Sequence, residues 1–122
     1  MTKQVFKSDA PLPFSNVIVQ NSVAYVAGQV GFDENQNIPE GIEAQTKWTI
    51  ENLRHSLEEA GFKLEDVVKV GAYLVNNDDF TTFNKVYAEY FIKDKPVRTT
   101  IFCKLAKSDF LVEIDAIAVT NT

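Results

Sequence analysis

Cysteine and histidine are nearly absent from this chain of 122 residues, which has one of each, Cys103 and His55. A single cysteine excludes an internal disulfide. One cysteine and one histidine together also exclude a metal site built from several such ligands and an acid–base pair of two histidines. Any chemistry must therefore use arginine, carboxylates, hydroxyls, backbone groups and water.

A basic surface and long hydrophobic runs are also lacking. Twelve basic residues stand against seventeen acidic ones, a net charge of −5, whereas nucleic-acid-binding domains usually carry a basic stripe. No apolar run approaches the roughly 20 residues of a membrane span. The first residues, Met1 to Phe6, lack the apolar stretch of a secretory signal. We therefore expect a cytoplasmic protein with no membrane partner, for which nucleic acid is an unfavoured ligand.

The residues that are present fit one domain over 1–122. Apolar residues make up 45% of the chain, enough for a core, and no repeat or linker divides it. Helical spacing predicts helices over about 40–60, ending before Gly61, and over 79–91. Strands are predicted at 17–20, 23–30, 67–75, after Pro96 and over 111–119, with an optional further strand near 4–6.

The predicted order of elements is β-β-α-β-α-β-β. It indicates an α+β fold, a mixed sheet of five to six strands with both helices on one face. A chain of 122 residues has no further element to cover the other face. Self-association is the expected solution, because a large bare apolar face is unusual in a monomer.

Charged residues stand in the last two predicted strands, where core residues would be expected. Arg98 follows Pro96 at the start of one strand, and Glu113 and Asp115 share a face of the other. Unpaired buried charges are costly. Arg98 is therefore either part of a salt bridge, which its residue type alone favours, or an anchor for a ligand carboxylate. The acidic pair faces solvent, a cavity or another subunit.

The spacing of Arg98 and Glu113 restricts how they could share a ligand. If the last two strands form a hairpin across residues 106–110, the two lie about 17 Å apart along the strands. They could then meet only if the strands do not pair in this way, or if another subunit supplies one of them.

Three single residues have alternative interpretations. Gly28, inside a predicted strand, marks either a β-bulge or a close approach of a ligand to the backbone. Cys103 is expected to be a buried, inert thiol. His55 lies opposite the apolar stripe of the first helix and is expected at the surface.

Several segments resemble the RidA/YjgF family. The strongest are Pro96-Val97-Arg98 with the strand after it, and the run from Val112 to Val119. Further segments follow in the family's order over nearly the whole chain: Pro13-Phe14-Ser15, Ala27 to Gly31, Gln45-Thr46, Glu51-Asn52-Leu53, Ala60-Gly61, Val68-Lys69-Val70, and Asp79-Phe80 with Asn84 and Tyr87.

The resemblance implies a chorismate-mutase-like fold, a homotrimer with ligand clefts between subunits, and no cofactor. It implies hydrolysis of reactive 2-imino and 2-enamino acids, such as 2-aminoacrylate, to 2-oxo acids and ammonia. By position, Arg98 would bind the substrate carboxylate, and Glu113 would activate water and handle protons at nitrogen. The other residues implied to line the cleft are Phe14, Ala27, Gly28, Phe80 and Thr100.

The sequence departs from the family's pattern at three of these positions. Phe14 stands where many members have tyrosine, Ala27 where many have serine, and Thr100 where some have cysteine. The first two changes remove hydroxyls, so we expect weaker activity or a preference for larger apolar imines. Alternative functions are a trimer that binds small carboxylates, a holdase, and a weak endoribonuclease, against which the acidic charge argues.

Overall fold

The computed structural model describes residues 2–121 and contains six strands and two long helices. The strands are β1 (Gln4–Lys7), β2 (Ser15–Gln20), β3 (Val23–Val30), β4 (Val67–Leu74), β5 (Val97–Phe102) and β6 (Val112–Val119). The helices are α1 (Ile42–Glu59), between β3 and β4, and α2 (Phe80–Tyr90), between β4 and β5. Short 3₁₀ turns, Leu64–Asp66 and Asn77–Asp79, precede β4 and α2.

All six strands form one mixed sheet in the order β1-β2-β3-β6-β4-β5. Strands β4 and β5 are parallel, and the other neighbours are antiparallel. Both helices pack beside each other over one face, where the apolar side chains of helices and strands form a common core. This confirms the expected α+β fold with a mixed sheet and two helices.

Local sequence explains the turns and the apolar stripe of the first helix. Asn21 and Ser22 have φ of 54° and 64°, the left-handed conformation of the tight turns that match the twist of a hairpin, here between β2 and β3. Gly61, with φ of 87°, follows α1 at a position that favours glycine. The predicted stripe of α1 is confirmed, since Ile50, Leu53 and Leu57 are fully buried.

The last two strands do not form the hairpin considered above, because β4 lies between them. Arg98 of β5 is opposite Val70 of β4, and Glu113 of β6 is opposite Tyr73 of β4. Helix α2 serves as the crossover that two parallel strands require, so β5 pairs with β4 and leaves the other edge of β4 to β6. Cys103 lies beyond the end of β5 and is only partly buried, which corrects the expectation of a buried thiol.

The sheet face opposite the helices is bare within one chain, as the element count predicts. A continuous row of paired residues crosses it from Val5 through Ile18, Tyr25, Ile117 and Lys69 to Val97. Val5, Tyr25 and Val97 are 48%, 51% and 67% exposed. This surface, which we call the bare face, is therefore available for contact with another molecule.

Candidate functional site

Glu113 lies on the bare face near one end of β6, half-buried beside Gly28. The pairing of β3 with β6 shifts register between Val26 and Gln29, so Gly28 lies in a β-bulge, as one of its two interpretations predicts. A Cβ atom at Gly28 would collide with the carboxylate of Glu113. The close approach to this glycine is therefore made by the protein's own acid.

The carboxyl of Glu113 has no hydrogen-bond donor among residues 2–121. Burial raises the pKa of Glu113, and the negative charge of Asp115 raises it further. A carboxyl in such surroundings takes up and releases a proton closer to neutral pH than an exposed glutamate does.

Polar contacts fix the bulge to the helix layer. The amide of Gln29 donates to Asn16 Oδ1 at 2.9 Å, Asn16 donates to Ser56 Oγ at 2.9 Å, and Ser56 donates back to Gln29 Oε1 at 3.3 Å. This closed ring joins β3, β2 and α1. The ring also fixes the start of β2, directly after Phe14. The side chain of Phe14 is 53% exposed.

Arg98 lies on the opposite face of the sheet, beneath α2. Its Nη2 donates to Asn84 Oδ1 at 2.8 Å, and its guanidinium lies over the rings of Tyr87 and Phe83, 4.6 Å and 5.2 Å from their centroids. No carboxylate within residues 2–121 forms a salt bridge with it. The salt bridge favoured by residue type alone is therefore wrong for the described chain.

Thr100 and Phe102 follow Arg98 on the same face of β5, since side chains alternate along a strand. The ring of Phe102 meets that of Phe80 edge to face, with centroids 5.8 Å apart. Along this face of β5, the cation of Arg98 is therefore followed by the hydroxyl of Thr100 and then by the exposed pair of aromatic rings.

Sequence reasoning missed the roles of Asn84 and Tyr87 beside Arg98 and of Phe102 beside Phe80. Two signals were available for them. Phe102 is four residues after Arg98 on a strand, and Asn84 and Tyr87 stand one and two helical turns after Phe80. Neither the spacing along the strand nor the spacing along the helix identifies a site until β5 is known to lie under α2.

The structure therefore divides the predicted site residues into two groups. The Glu113 group consists of Phe14, Ala27, Gly28 and Glu113, at one end of β2, β3 and β6. The Arg98 group consists of Phe80, Arg98 and Thr100, on the helix side of the edge strand β5. The two groups are not brought together within one chain.

Two grooves of a single chain are lined by residues that belong to neither group. One groove of about 340 Å³ runs from Leu64 to Pro96, and another of about 660 Å³ lies between the start of α1 and the side of α2. Within residues 2–121 no cluster of three potential metal ligands occurs, and no helix in this range is long and apolar enough to span a membrane.

Known proteins resemble this chain over almost its full length. A family model described as endoribonuclease L-PSP matches residues 7–120. A RutC family protein of Pyrococcus abyssi is 44% identical over an alignment 124 positions long. The alignment covers 97% of this chain and 98% of that protein.

Two solved structures extend the comparison to the fold. RidA from the Antarctic bacterium Psychrobacter sp. PAMC 21119 has 30% identity and a TM-score of 0.88, covering 96% of this chain and 99% of that one. E. coli TdcF, whose structure contains bound serine, has 25% identity and a TM-score of 0.88, covering 97% of this chain and 99% of that one. The shared region includes both the Arg98 group and the Glu113 group.

Proposed function

Because the chain belongs to the endoribonuclease L-PSP family, that of the RidA/YjgF proteins, we propose that it hydrolyses reactive 2-imino and 2-enamino acids to 2-oxo acids and ammonia. The observation that carries this proposal is the state of Arg98. Its guanidinium is partly buried, oriented by Asn84 and two aromatic rings, and has no carboxylate partner within residues 2–121. A cation held in this way has free donors for a ligand carboxylate.

The proposed active site lies between subunits of a homotrimer. Arg98 and Glu113 occupy opposite faces of one sheet, so a ligand between them needs one residue from each of two chains. The bare face supports such an assembly, because its apolar side chains are exposed in a single chain. A contact between two different surfaces of the same chain closes into a ring when the rotation allows it.

The reaction needs little besides placement, because an imine carbon is already electrophilic. Arg98 holds the substrate carboxylate, and Glu113 of the neighbouring subunit accepts a proton from water as its oxygen attacks the imine carbon. Glu113 then returns this proton to the substrate nitrogen. Glu113 next carries the proton of the newly bound hydroxyl to the nitrogen as the C–N bond breaks, so ammonia leaves and the C=O bond of the 2-oxo acid forms. An enamine first takes up a proton at its terminal carbon and loses one from its nitrogen, which gives the imine.

The remaining residues of the cleft suggest the kind of substrate. Serine bound to TdcF is a small amino acid with a free carboxylate, which supports a ligand of this class here. Phe14 and Ala27 add no hydroxyl to the cleft, and Phe80 contacts the exposed ring of Phe102. These surfaces favour imines with larger apolar side chains over 2-aminoacrylate.

The test is a deaminase assay with imines formed in situ by an amino-acid oxidase. We expect 2-oxo acid release above the spontaneous rate with wild-type protein and none with Arg98→Ala. Arg54→Ala is the matched control, since Arg54 pairs with Glu51 on α1 and belongs to neither group. Equal rates for wild type and Arg98→Ala would overturn the proposal.

The name of the family model supports a second candidate, endoribonuclease activity. The net charge of −5 and the position of His55, whose side chain is 75% exposed and lies near Glu59, argue against it. RNA cleavage with a steep salt dependence, in rigorously nuclease-free preparations, would favour this function. Carboxylate binding without turnover would indicate a binding trimer, and a holdase would be insensitive to Arg98→Ala.

A further inference from the structure

Two glycines flank β6 on the bare face, and each makes room for one carboxylate. Gly28 of β3 lies under Glu113, and Gly71 of β4 lies under Asp115. A Cβ atom at either glycine would collide with the carboxylate beside it. The two acids are two residues apart on one strand, so they lie on the same face.

Hydrogen bonding distinguishes the two acids. Asp115 accepts a hydrogen bond from the backbone N–H of Gly71 at 3.1 Å and another from the hydroxyl of Tyr73 at 2.9 Å. The bond with Asp115 is the main reason that the pKa of Tyr73 is raised, which keeps this hydroxyl protonated as a donor. Glu113 has no donor within residues 2–121, so one carboxylate is held in place and the other is free to react.

Few other charges face Glu113 among residues 2–121. On β4 its neighbour is Tyr73, on β6 it is Asp115, and the adjoining part of β3, from Ala27 to Val30, carries no ionisable side chain. Lys69 and Tyr25 lie further along the face, both opposite Ile117. In the proposed trimer the neighbouring subunit adds Arg98, whose charge is balanced by the substrate carboxylate. Among residues 2–121, Asp115 is the charged group that acts on the Glu113 carboxyl.

We propose that Asp115, held by Gly71 and Tyr73, is a positioning residue whose fixed negative charge, two residues from Glu113 on the same face of β6, favours the protonated form of the Glu113 carboxyl. This inference rests on the proposed function for its role in deamination. A carboxyl that both removes a proton from water and returns it to nitrogen works best when it exchanges protons near the working pH. Asp115 touches neither substrate nor water in this scheme and acts only through Glu113.

The test is a carbon-13 NMR titration of glutamate carboxyls in the assembled protein, with the Glu113 signal identified by its loss in Glu113→Gln. In Asp115→Asn the midpoint of the Glu113 titration should move to lower pH, because the negative charge is gone. The ascending limb of kcat/KM against pH should move by the same amount. An unchanged midpoint would overturn the inference.

Tyr73→Phe is the matched control, because it removes the hydroxyl and keeps the charge of Asp115. It should lower the melting temperature but leave the Glu113 midpoint nearer to wild type than Asp115→Asn does. Equal midpoint shifts in both variants would mean that altered packing, not charge, acts on Glu113, and would contradict the inference. If Asp115→Asn fails to fold, Asp115→Thr gives the same test in a residue suited to strands.

The titration also separates this inference from the proposed function. If the wild-type protein hydrolyses no imine but Asp115→Asn still lowers the midpoint, the deaminase proposal fails and the effect of Asp115 on Glu113 stands. If imines are hydrolysed and the midpoint does not move, the deaminase proposal stands and the inferred effect of Asp115 on Glu113 fails.

Discussion

Arg98 and Glu113 lie on opposite faces of the same sheet, on the two strands that flank β4. Arg98 pairs with Val70, whose side chain is fully buried toward the helices, whereas Glu113 pairs with Tyr73 on the bare face. Side-chain rotation does not carry a residue through a sheet. One ligand that contacts both groups must therefore lie between two chains.

Mixed oligomers should test this arrangement directly. Arg98→Ala and Glu113→Gln should each be inactive alone. Co-expressed in equal amounts, they should recover about one quarter of wild-type activity, because each site then needs an intact Arg98 from one chain and an intact Glu113 from its neighbour. Deaminase assays on the co-purified mixture measure this. No recovery in oligomers shown by mass spectrometry to be mixed would contradict a shared site.

Loss of Arg98 should weaken carboxylate binding more than loss of the residue that orients it. We expect Arg98→Ala to reduce affinity for a 2-oxo acid by about 10- to 100-fold, since bonds to charged groups contribute more than neutral ones. Asn84→Ala removes one orienting bond and should cost about 2- to 10-fold. Calorimetric titration measures both. Equal losses would mean that Asn84 itself binds the ligand.

Gly28→Ala should impair the reaction more than the fold. The added methyl displaces the end of the Glu113 side chain, which can move, so we expect a lower kcat and a nearly unchanged melting temperature. Gly31→Ala is the contrasting control, because its methyl would meet the backbone of Gln45, with the carbonyl oxygen at 2.6 Å. It should destabilise the protein by about 1–3 kcal/mol. A large loss of stability in Gly28→Ala would contradict this distinction.

Glu113→Gln should be more stable than wild type at neutral pH. Burial and Asp115 raise the pKa of Glu113 in the folded protein, so the folded state binds more protons than the unfolded state above glutamate's ordinary range. The contribution of Glu113 to the free energy of unfolding therefore falls as pH rises through this window. Melting curves should show an advantage for Glu113→Gln at neutral pH that shrinks on acidification. A constant difference at all pH values would exclude titration as its cause.

Restoring the missing hydroxyls should shift substrate preference. Phe14→Tyr and Ala27→Ser together add two polar groups to the Glu113 group, so kcat/KM for 2-aminoacrylate should rise relative to that for imines from branched or aromatic amino acids. Competition assays with both imine types measure the ratio. If wild type already hydrolyses 2-aminoacrylate far faster than the bulkier imines, the idea of an apolar cleft is wrong.

Much of the fold follows from local patterns. Both helices begin and end within two residues of the predicted bounds, because the apolar periodicity and Gly61 are local signals. The hairpin turn at Asn21 and Ser22 is similarly encoded. The predicted acidic face of β6 is also confirmed, since alternate residues from Val112 to Ala118 are buried.

The pairing of the last strands could not be found in this way. Two strands that follow one another usually pair, and no residue in β5 or β6 signals that β4 separates them. That outcome depends on how α2 packs, which is a tertiary property. For the same reason the sequence did not reveal that Arg98 points toward α2, or that Asn84 and Tyr87 meet it there.

In the proposed assembly, the bare face would make catalytic output depend on the amount of protein present. A site shared between chains exists only while those chains are associated. The number of assembled sites therefore rises more steeply with protein concentration than the number of chains does. Specific activity should therefore fall on dilution, and the cell's rate of synthesis would set a threshold for imine removal as well as its capacity.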